Sequence, residues 1–593
     1  MADRHPSSLL KIQIGPVQDF IAAARSTRDL WSGSYLLSWL AAVGIRHLAE
    51  RGGSLIFPNP GGQPLLGLPK LPDDDHRALL TPNLPNLFVA FLPEETAEAT
   101  ARDVEQAIRN EWQAIADAVW SKHAKLDIPG GKKSIFERAV AGHLSISWQV
   151  TPVGDYVKSY AANGKHLDAV RQLRDFHATG EGAWRLIGEK DSLTGREEAL
   201  CGGTDFKKAM ATKGGEIPSL FKHADHVGAI TLIKRVWHIA YLAHSQIGIQ
   251  ARSNQFPIRS LPAIAARRDE LDDDRDGSET SGGEKYIAAI AFDGDQIGKW
   301  VSGELLAEGA DLREHQEKFS GALSDFALKR VRAIVEGPVD GQDKNGNPMK
   351  VPLGQLIYAG GDDVVCLVPA DAAIKIAAKL REAFREATSS IAGQNGARPD
   401  ASCGIAIAHI HAPLQDLIRE AQKAEKRAKN EVGRPAFAVT LMKRSGEITL
   451  WGSQWESGGL ELQTAIAGLL ATGELSAKFP HRFCQLLVPY LTRQSGLAKL
   501  DDAIGDFSTM KSLIDREFAF AAERQGSQAI ACGLQIPLHT YLDGIHRERE
   551  KRASESGKPS LTEFQDLLTS LIGLCTSVAF AHRNLPAEKQ PTP

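Results

Sequence analysis

The sequence lacks the features that mark membrane proteins, secreted proteins and strongly basic nucleic-acid-binding proteins. No run among the 593 residues approaches the roughly 18 consecutive apolar residues of a bilayer span. The N-terminal residues do not follow the basic-then-apolar order of a secretory signal. The six cysteines are scattered singly, which excludes a disulfide scaffold and predicts a reducing cytoplasm. A net charge of −4 excludes nucleic-acid binding by bulk positive charge, although a local basic groove stays open.

Length and composition predict a soluble protein of several domains. The hydrophobic fraction is 42% and the charged fraction 24%, both ordinary for globular proteins. A chain of 593 residues corresponds to roughly four domains at about 150 residues each. The clearest boundary is the acidic, Gly/Ser-rich segment 267–284, which we interpret as an exposed linker, with an acidic docking site as the alternative. The tail after residue 584 is predicted to be a frayed terminus.

The hydrophobic pattern predicts an α+β multidomain fold with two sheet-containing domains. Residues 284–451 alternate in the order β-α-β-turn-β-α-β-α-β, which is a split βαβ arrangement of the ferredoxin-like kind. The strands are predicted at 286–292, 355–359, 364–368, 401–410 and 436–442, and the helices at 315–335, 371–391 and 414–429. Residues 1–150 form a second such domain, with strands at 11–14 and 86–92 and helices at 17–45, bent near Gly33, and at 97–119. Residues 151–283 are predicted to be mainly helical up to the linker, and residues 452–593 helical.

The strongest chemical signal is a pair of acidic motifs at neighbouring strand ends. Gly360-Gly361-Asp362-Asp363 joins two apolar strands, and Asp293-Gly294-Asp295 ends an earlier strand that a split βαβ sheet places beside this hairpin. A bare Gly-Asp turn is ordinary hairpin chemistry, but converging carboxylates need cations. Carboxylate ligands select hard ions such as Mg²⁺ or Mn²⁺, and two such ions support phosphoryl or nucleotidyl transfer. The two glycines would let a nucleotide approach the backbone closely.

Two further patterns extend this site. Lys429 ends the third predicted helix of the domain, where it can reach a triphosphate or belong to a solvated basic face. Residues 12–21 align with residues 290–299, each segment giving a strand, a Gly-containing turn and a helix start. In this alignment Gly15 and Val17 stand where the second copy has Asp293 and Asp295, which predicts two related domains with acids in the second alone.

The motifs together resemble the polymerase-palm large subunit of type III-B (Cmr-type) CRISPR effector complexes. The same palm is also similar to diguanylate cyclases in its acidic strand end, GGD hairpin and late lysine. The resemblance spans most of residues 9–451 and is carried by segments 14–38, 292–303, 356–369, 402–414 and 424–434. It implies two cyclase-like palms, a degenerate first and an active second, with one helical domain between them and another after them.

The resemblance also implies an activity, cofactors and partners. Guided by crRNA and activated by target RNA, the second palm would join ATP molecules through 3′–5′ bonds into cyclic oligoadenylate, together with the other Cmr-type subunits. Asp293, Asp362 and Asp363 would be the catalytic residues and would hold two Mg²⁺ or Mn²⁺ ions. The predicted nucleotide-binding residues are Gly294, Asp295, Gly298, Gly360, Gly361 and Lys429, with Ser32, Gly33 and Ser34 of the first palm presenting the second nucleotide.

The sequence departs from the family pattern at two places. Many relatives begin with an HD nuclease domain, whereas this sequence contains no His-Asp dipeptide, so we expect no DNase activity. Many relatives also have a four-cysteine zinc site in the middle region, where this chain has only Cys201 and no CxxC motif. One cysteine cannot form a tetrahedral structural site, so we expect no zinc.

Two other functions stay open at this point. The palm could bind ATP without turnover in a scaffold subunit of the same complex, although a silent site does not need mutually repelling acids. A free-standing cyclic-dinucleotide synthase is disfavoured by the long first palm and the helical C-terminal region without a sensor module. The ring size of the product, or an alternative adenylate product, cannot be deduced from these residues.

Overall fold

A computed structural model describes most of the chain. The described residues are 7–67, 76–173, 188–250, 258–269, 285–343, 345–491, 506–556 and 564–582. Most of the predicted linker, at residues 270–284, and the predicted frayed tail lie outside them. The predicted domain limits at residues 150 and 283 stay predictions.

The first palm is an antiparallel four-stranded sheet covered by long helices. Its strands follow the order β2-β3-β1-β4, and they are β1 Ser7–Gly15, β2 Ser54–Phe57, β3 Leu87–Pro93 and β4 Ser145–Pro152. Helices Thr27–Glu50 and Ala97–Trp120 pack against each other beside this sheet, and helix Tyr156–Gln172 packs on β4. Alternate residues of β1, namely Leu10, Ile12 and Ile14, are fully buried in the shared core, as period-two patterning requires.

The predicted helix 17–45 is two helices rather than one. A short helix, Gln18–Ala22, is followed by a break at residues 23–26 and then by helix Thr27–Glu50. Ser26 caps the second helix, because its side chain accepts a hydrogen bond from the Asp29 amide. The bend predicted near Gly33 is therefore wrong, and the chain turns about ten residues earlier.

The middle region packs onto the first palm. Helix Ala229–Ala240 contacts both long helices of the first palm, and nearly all of its residues are buried. A two-stranded sheet is formed by β5 Cys201–Gly202 and β6 His226–Val227. Further helices of this region are Gly203–Lys213, Glu216–Ser219, Gln246–Gln250 and Leu261–Ala265. Helix Lys133–Ala141 precedes β4 of the first palm.

The second palm is a six-stranded sheet in the order β10-β11-β7-β12-β13-β14. Its strands are β7 Tyr286–Gly294, β10 Gln355–Gly360, β11 Asp363–Pro369, β12 Ala401–His409, β13 Ala436–Met442 and β14 Ile448–Gln454. Neighbouring strands are antiparallel except for the parallel pair β12–β13. The predicted strand order is confirmed. Two features were missed: the hairpin of β8 Pro338–Gln342 and β9 Pro348–Pro352, and β14, which crosses the predicted domain limit at residue 451.

The helices of the second palm cover both faces of its sheet. One face of β7 (Ile290, Phe292) packs with helices Leu312–Asp325 and Ala373–Ala387. The other face of β7 packs with helix Leu414–Arg427 and with Ala22 and Leu30 of the first palm. Two π-helical segments, Phe326–Val331 and Ala428–Gly433, extend the first and third of these helices, and such segments are frequent at functional sites.

The C-terminal region is helical, as predicted. Its described helices are Gly459–Ala471, Phe479–Leu491, Phe507–Gln525, Gln528–Ser556 and Phe564–His582. They share one hydrophobic core with the second palm, in which Phe479, Phe483 and Phe518 pack edge to face. Of the helices that the structure describes, none has the length and apolar character needed to cross a bilayer.

Candidate active site

The strand register brings the acids of the two motifs to one edge of the sheet. Val364 of β11 pairs with Phe292 of β7, so the next position along the ladder places Asp363 opposite Asp293. Side chains directly opposite each other in an antiparallel pair have Cβ atoms about 5 Å apart. Two carboxylates at that spacing repel each other unless a cation lies between them. The convergence predicted from the strand order is therefore present.

The hairpin tip owes its shape to its two glycines. β10 and β11 are joined by the two-residue turn Gly361-Asp362, and Gly361 has a φ of 81°, in the left-handed region that favours glycine. Gly360 leaves room for a neighbour, because a Cβ there would lie 1.8 Å from the hydroxyl oxygen of Tyr358. The glycines thus serve the turn and the packing of Tyr358. The sequence motif itself had suggested only room for a nucleotide.

The local electrostatics favour a cation. Burial and then the charge of Asp293 raise the pKa of Asp362 to about 7. Surrounding protein, followed by the charges of Asp293 and Asp362, raises the pKa of Asp363 well above its usual range. Asp363 is open to solvent, so the neighbouring charges act on its carboxyl group more strongly than burial does. A bound cation would relieve this repulsion.

Lys429 lies at the centre of these acids. It belongs to the π-helical segment Ala428–Gly433, and its ammonium forms ion pairs with Asp293 and, at 2.5 Å, with Glu425. The Lys429 side chain is 13% exposed and that of Glu425 14%, whereas Asp293 is 37% exposed. The lysine is therefore part of the acidic site and not of a solvated basic face.

The other predicted residues of the DxD motif have different surroundings. Asp295 turns into the protein, where its carboxylate accepts a hydrogen bond of 2.9 Å from Ser402 and pairs with Arg434 at 3.3 Å. Burial raises the pKa of Asp295 to about 7 despite these partners. Gly294 permits close packing, since a Cβ there would be 3.0 Å from the Cβ of Asp362. Gly298 is exposed, and a Cβ there would meet nothing within 4 Å.

A cavity of about 130 Å³ separates the acids from the first palm. We call it the interpalm cavity. Asp293, Tyr358 and Asp363 line it on one side, and Gln18, Ile21, Ser34 and Asn86 of the first palm line it on the other. The helix that precedes Lys429 closes it with Gln422, Glu425 and Lys426. The two palms therefore face each other across the predicted catalytic residues.

The predicted Ser32-Gly33-Ser34 contact with a nucleotide needs correction for two of its three residues. Ser34 does line the interpalm cavity. Ser32 is fully buried and donates a hydrogen bond to the Lys234 carbonyl oxygen, while it accepts one of 2.8 Å from the Trp237 indole. Gly33 packs against the Lys234 side chain. Successive helical residues point in different directions, so one tripeptide cannot present all three side chains to one ligand.

A second cleft, of about 550 Å³, lies beside the same hairpin. We call it the π-helix cleft, because Ala327, Leu328 and Lys329 of the segment Phe326–Val331 line it. Asn83 of the first palm also lines it. This side chain is 2% exposed, and neither its amide nitrogen nor its oxygen has a hydrogen-bond partner. A buried, unsatisfied amide costs roughly 1–3 kcal/mol, so it calls for a ligand.

The sequence does not single out Asn83, because this residue lies in a segment with the pattern of an ordinary Pro/Asn-rich turn. The segment that carries it runs between the two cavities: Asn83 faces the π-helix cleft, and Leu84 and Asn86 face the interpalm cavity. The Pro82 carbonyl accepts a hydrogen bond of 2.9 Å from the Ala359 amide, one residue before the GGDD turn. This bond joins the first palm to the strand that leads into the GGDD hairpin.

The acidic residues suit a hard divalent ion. Among the described residues, no three His, Cys, Asp or Glu side chains are grouped closely enough to hold a metal by themselves. Mg²⁺ usually takes only one or two carboxylates and completes its shell with water and substrate phosphates. The neighbouring carboxylates of Asp293, Asp362 and Asp363 fit that requirement. The number of ions stays a prediction.

Among the middle-region residues that the structure describes, no group of zinc donors surrounds Cys201. Cys201 pairs with Val227 in the small sheet, and burial raises the pKa of its thiol to about 12. A zinc ligand must be a thiolate, so this environment disfavours metal binding. The expected lack of zinc stays a prediction.

Comparisons with known proteins agree with this architecture. The family described as CRISPR-associated protein Cmr2, N-terminal, matches residues 9–117, and that described as Cas10/Cmr2, second palm domain, matches residues 286–438. The CRISPR system Cmr subunit Cmr2 of Pyrococcus furiosus is 24% identical over 569 residues, which cover 76% of this chain and 63% of that protein. The chain thus spans less than two thirds of that relative's length.

Solved structures show the same fold. A chain of the type III-B Cmr-beta complex in its apo state aligns with a TM-score of 0.61 at 12% identity, covering 88% of this chain and 77% of that chain. The Cmr-beta complex bound to cognate target RNA gives a TM-score of 0.59 at 12% identity, covering 89% and 79%. Two Cmr2 family models thus match this chain in the order in which its two palms occur, and the fold agrees, so both palms are similar to those of the Cmr2/Cas10 proteins.

Proposed function

We propose that the chain is an ATP-dependent nucleotidyltransferase and the large subunit of a crRNA-guided type III-B CRISPR complex. Its product would be cyclic oligoadenylate or a related adenylate messenger. The observation that carries this proposal is the opposition of Asp293 and Asp363 at one sheet edge, beside Lys429 and facing the first palm across a cavity. The partners of the chain would be the other subunits of the complex, the crRNA and the target RNA.

The chemistry requires two nucleotides in defined relative positions. The 3′-hydroxyl oxygen of one ATP attacks the α-phosphorus of another, a 3′–5′ phosphodiester bond forms, and pyrophosphate leaves. Divalent ions, when bound by Asp293, Asp362 and Asp363, would supply a Lewis acid for the triphosphate. Holding the two reactants in the correct geometry is worth on the order of 7–11 kcal/mol of the barrier.

Residues of the chain itself would orient the nucleotides. Lys429 would exchange its ion pair with Asp293 for a phosphate oxygen, which suits a flexible point charge. The unsatisfied Asn83 side chain offers an NH2 donor group and a carbonyl acceptor, the pair that an adenine edge matches. Ser34 and Asn86 line the interpalm cavity on the side of the first palm, where the second nucleotide would lie.

The test is a synthesis assay with the assembled complex. ATP, Mg²⁺, crRNA and matched target RNA are incubated with it, and the products are identified by mass spectrometry. We expect adenylate oligomers from the wild type and none from the double variant Asp362→Ala/Asp363→Ala, which should still assemble. Full product yield from the double variant would contradict the assignment of these acids. ATP binding without any product from the wild type would instead favour a silent scaffold.

The same assay tests regulation by target RNA. Turnover is compared for the isolated chain, the complex with crRNA, and the complex with crRNA and matched target. We expect product chiefly in the third case, because an effector acts only through its differential affinity for a productive palm arrangement. Equal rates in all three would contradict regulation through the palms.

A further inference from the structure

A buried lysine of the middle region contacts the wall of the interpalm cavity. Lys234 lies on helix Ala229–Ala240 and is only 2% exposed. Its side chain crosses helix Thr27–Glu50 at Gly33. A Cβ at position 33 would lie 2.5 Å from the Cε of Lys234 and 3.0 Å from its Nζ, so glycine leaves the passage through which the lysine reaches the other side.

The ammonium group ends on three carbonyl oxygens of one turn. Lys234 Nζ donates to Phe20 at 2.5 Å, to Ile21 at 3.0 Å and to Ala23 at 2.8 Å. A lysine has three donors, so its hydrogen-bonding capacity is filled. The carbonyls belong to the end of helix Gln18–Ala22 and to the residue after it, where the carbonyls of a helix lack intrahelical partners. We call residues 18–23 the wall turn.

The wall turn forms part of the candidate active site. Gln18 and Ile21 line the interpalm cavity opposite Asp293 and Asp363. The amides of Ile21 and Ala23 donate to the nearby carbonyls of Val17 and Asp19. Lys234 therefore ties a short segment of the cavity wall to the middle region.

Ion pairs fix the base of this contact. Arg235, the next residue, binds the Asp29 carboxylate with three contacts of 3.1–3.2 Å and Asp225 at 3.3 Å. Arg25 pairs with Asp225 at 2.6 Å. These bonds lock helix Ala229–Ala240 to the start of helix Thr27–Glu50, so a displacement of the middle region would also move the ammonium and the wall turn.

We propose that Lys234 is a positioning residue that sets nucleotide affinity and turnover by holding the wall turn against the second palm. The expected effect on turnover rests on the proposed nucleotidyltransferase function. An apolar side chain of the same length would fill the passage past Gly33 but would leave the three carbonyls without a donor. Burying a charge is costly unless it is hydrogen-bonded. The three hydrogen bonds, and not packing alone, therefore explain why a lysine stands at this position.

The test compares Lys234→Met, Lys234→Arg and Gly33→Ala in the full complex. Lys234→Met keeps the length of the side chain and removes its hydrogen-bond donors. Gly33→Ala keeps the ammonium group of Lys234 but displaces it. The matched control is Lys11→Met, because Lys11 is a part-buried lysine of the first palm that lies 3.8 Å from the Tyr160 ring centroid and is not among the residues that line the cavity. Kinetics are measured per assembled complex.

We expect the KM for ATP to rise about tenfold in Lys234→Met and in Gly33→Ala, since small misplacement in a site is expensive. Lys234→Arg should restore part of the affinity, and Lys11→Met should leave KM unchanged. A lower kcat with an unchanged KM in Lys234→Met would overturn the proposal, because a purely structural role reduces only the fraction of competent complex.

A second measurement does not depend on turnover. Hydrogen exchange of the Ile21, Ala23 and Ala24 amides, and the affinity for a non-hydrolysable ATP analogue, are compared between the wild type and Lys234→Met. Faster exchange and weaker analogue binding in the variant would support the positioning role, whether or not any sample forms product. A lack of product in every sample, including the wild type, would refute the proposed function but not the positioning role. Unchanged exchange and affinity would overturn the role of Lys234.

Discussion

Lys429 gives the sharpest test of the candidate site, because it neutralises two acids at once. In Lys429→Met, Asp293 and Glu425 lose their ion-pair partner. Breaking a buried pair costs about 3–5 kcal/mol, but a pair in which one partner is a third exposed is worth at most about 1 kcal/mol. Glu425, at 14% exposed, carries most of the loss. We therefore expect the metal-free variant to lose roughly 2 kcal/mol of local stability.

Magnesium should reverse part of this loss. With the lysine gone, Asp293 is free to bind a cation, so Mg²⁺ should bind the nucleotide-free variant more tightly than the wild type. Under the proposed function, turnover should nevertheless fall about 100-fold or more, since the charged group that would contact the reacting phosphates is missing. The assay is hydrogen exchange of helix Leu414–Arg427 in EDTA and in Mg²⁺, together with product formation by the complex.

A control variant separates this effect from the loss of any lysine. Lys423 pairs with Glu420 at 2.6 Å on the same helix, and its side chain is 69% exposed. Lys423→Met should change stability by less than about 0.5 kcal/mol and should not alter the Mg²⁺ dependence. Unchanged protection in Lys429→Met, or weaker Mg²⁺ binding than in the wild type, would refute the reasoning that the lysine and a cation compete for Asp293.

Three further predictions concern other parts of the molecule. Asn83→Leu should stabilise the nucleotide-free chain by about 1 kcal/mol while weakening ATP-analogue binding, as measured by unfolding and equilibrium dialysis; loss of stability would contradict an unsatisfied amide. Burial, and then the charge of Lys234, lowers the pKa of His143 to about 4, below its usual 6.5. Between these two pKa values the unfolded chain binds a proton at His143 that the folded chain does not bind. The free energy of unfolding should therefore fall by up to about 3 kcal/mol as the pH is lowered from 6.5 to 4. His143→Phe should flatten this acid dependence in unfolding experiments, and an unchanged slope would refute the assignment. Elemental analysis should find well under one zinc per chain, whereas about one zinc would indicate a site that does not depend on Cys201.

The features that follow from local pattern were predictable from the sequence. Strands such as Ala401–His409 and Ala436–Met442 are short apolar runs, and their alternation with amphipathic helices fixes the split βαβ order. That order alone brings Asp293 beside the GGDD hairpin, because the connection rules leave few other arrangements. The internal repeat likewise predicted which of the two palms lacks acids.

Other features depend on residues that are distant in the sequence. The carbonyls at the break after Ala22 accept hydrogen bonds from Lys234, more than 200 residues away, and only the Ser26 cap is a local sign of the break. β14 is short and half exposed, so its pattern was too weak to predict. The hairpin of β8 and β9 is mostly exposed and has no apolar alternation.

The sequence by itself determined the chemistry of the site, and the tertiary structure decided its geometry. Residue types and strand order identify the acids, since carboxylates at adjoining strand ends must meet whatever packs around them. The two cavities arise only when the first palm docks on the second, and Ser32 and Gly33 are buried only when the middle region packs on the first palm. Docking depends on many weak contacts between distant surfaces, and no spacing along one chain encodes which side chains those surfaces will cover.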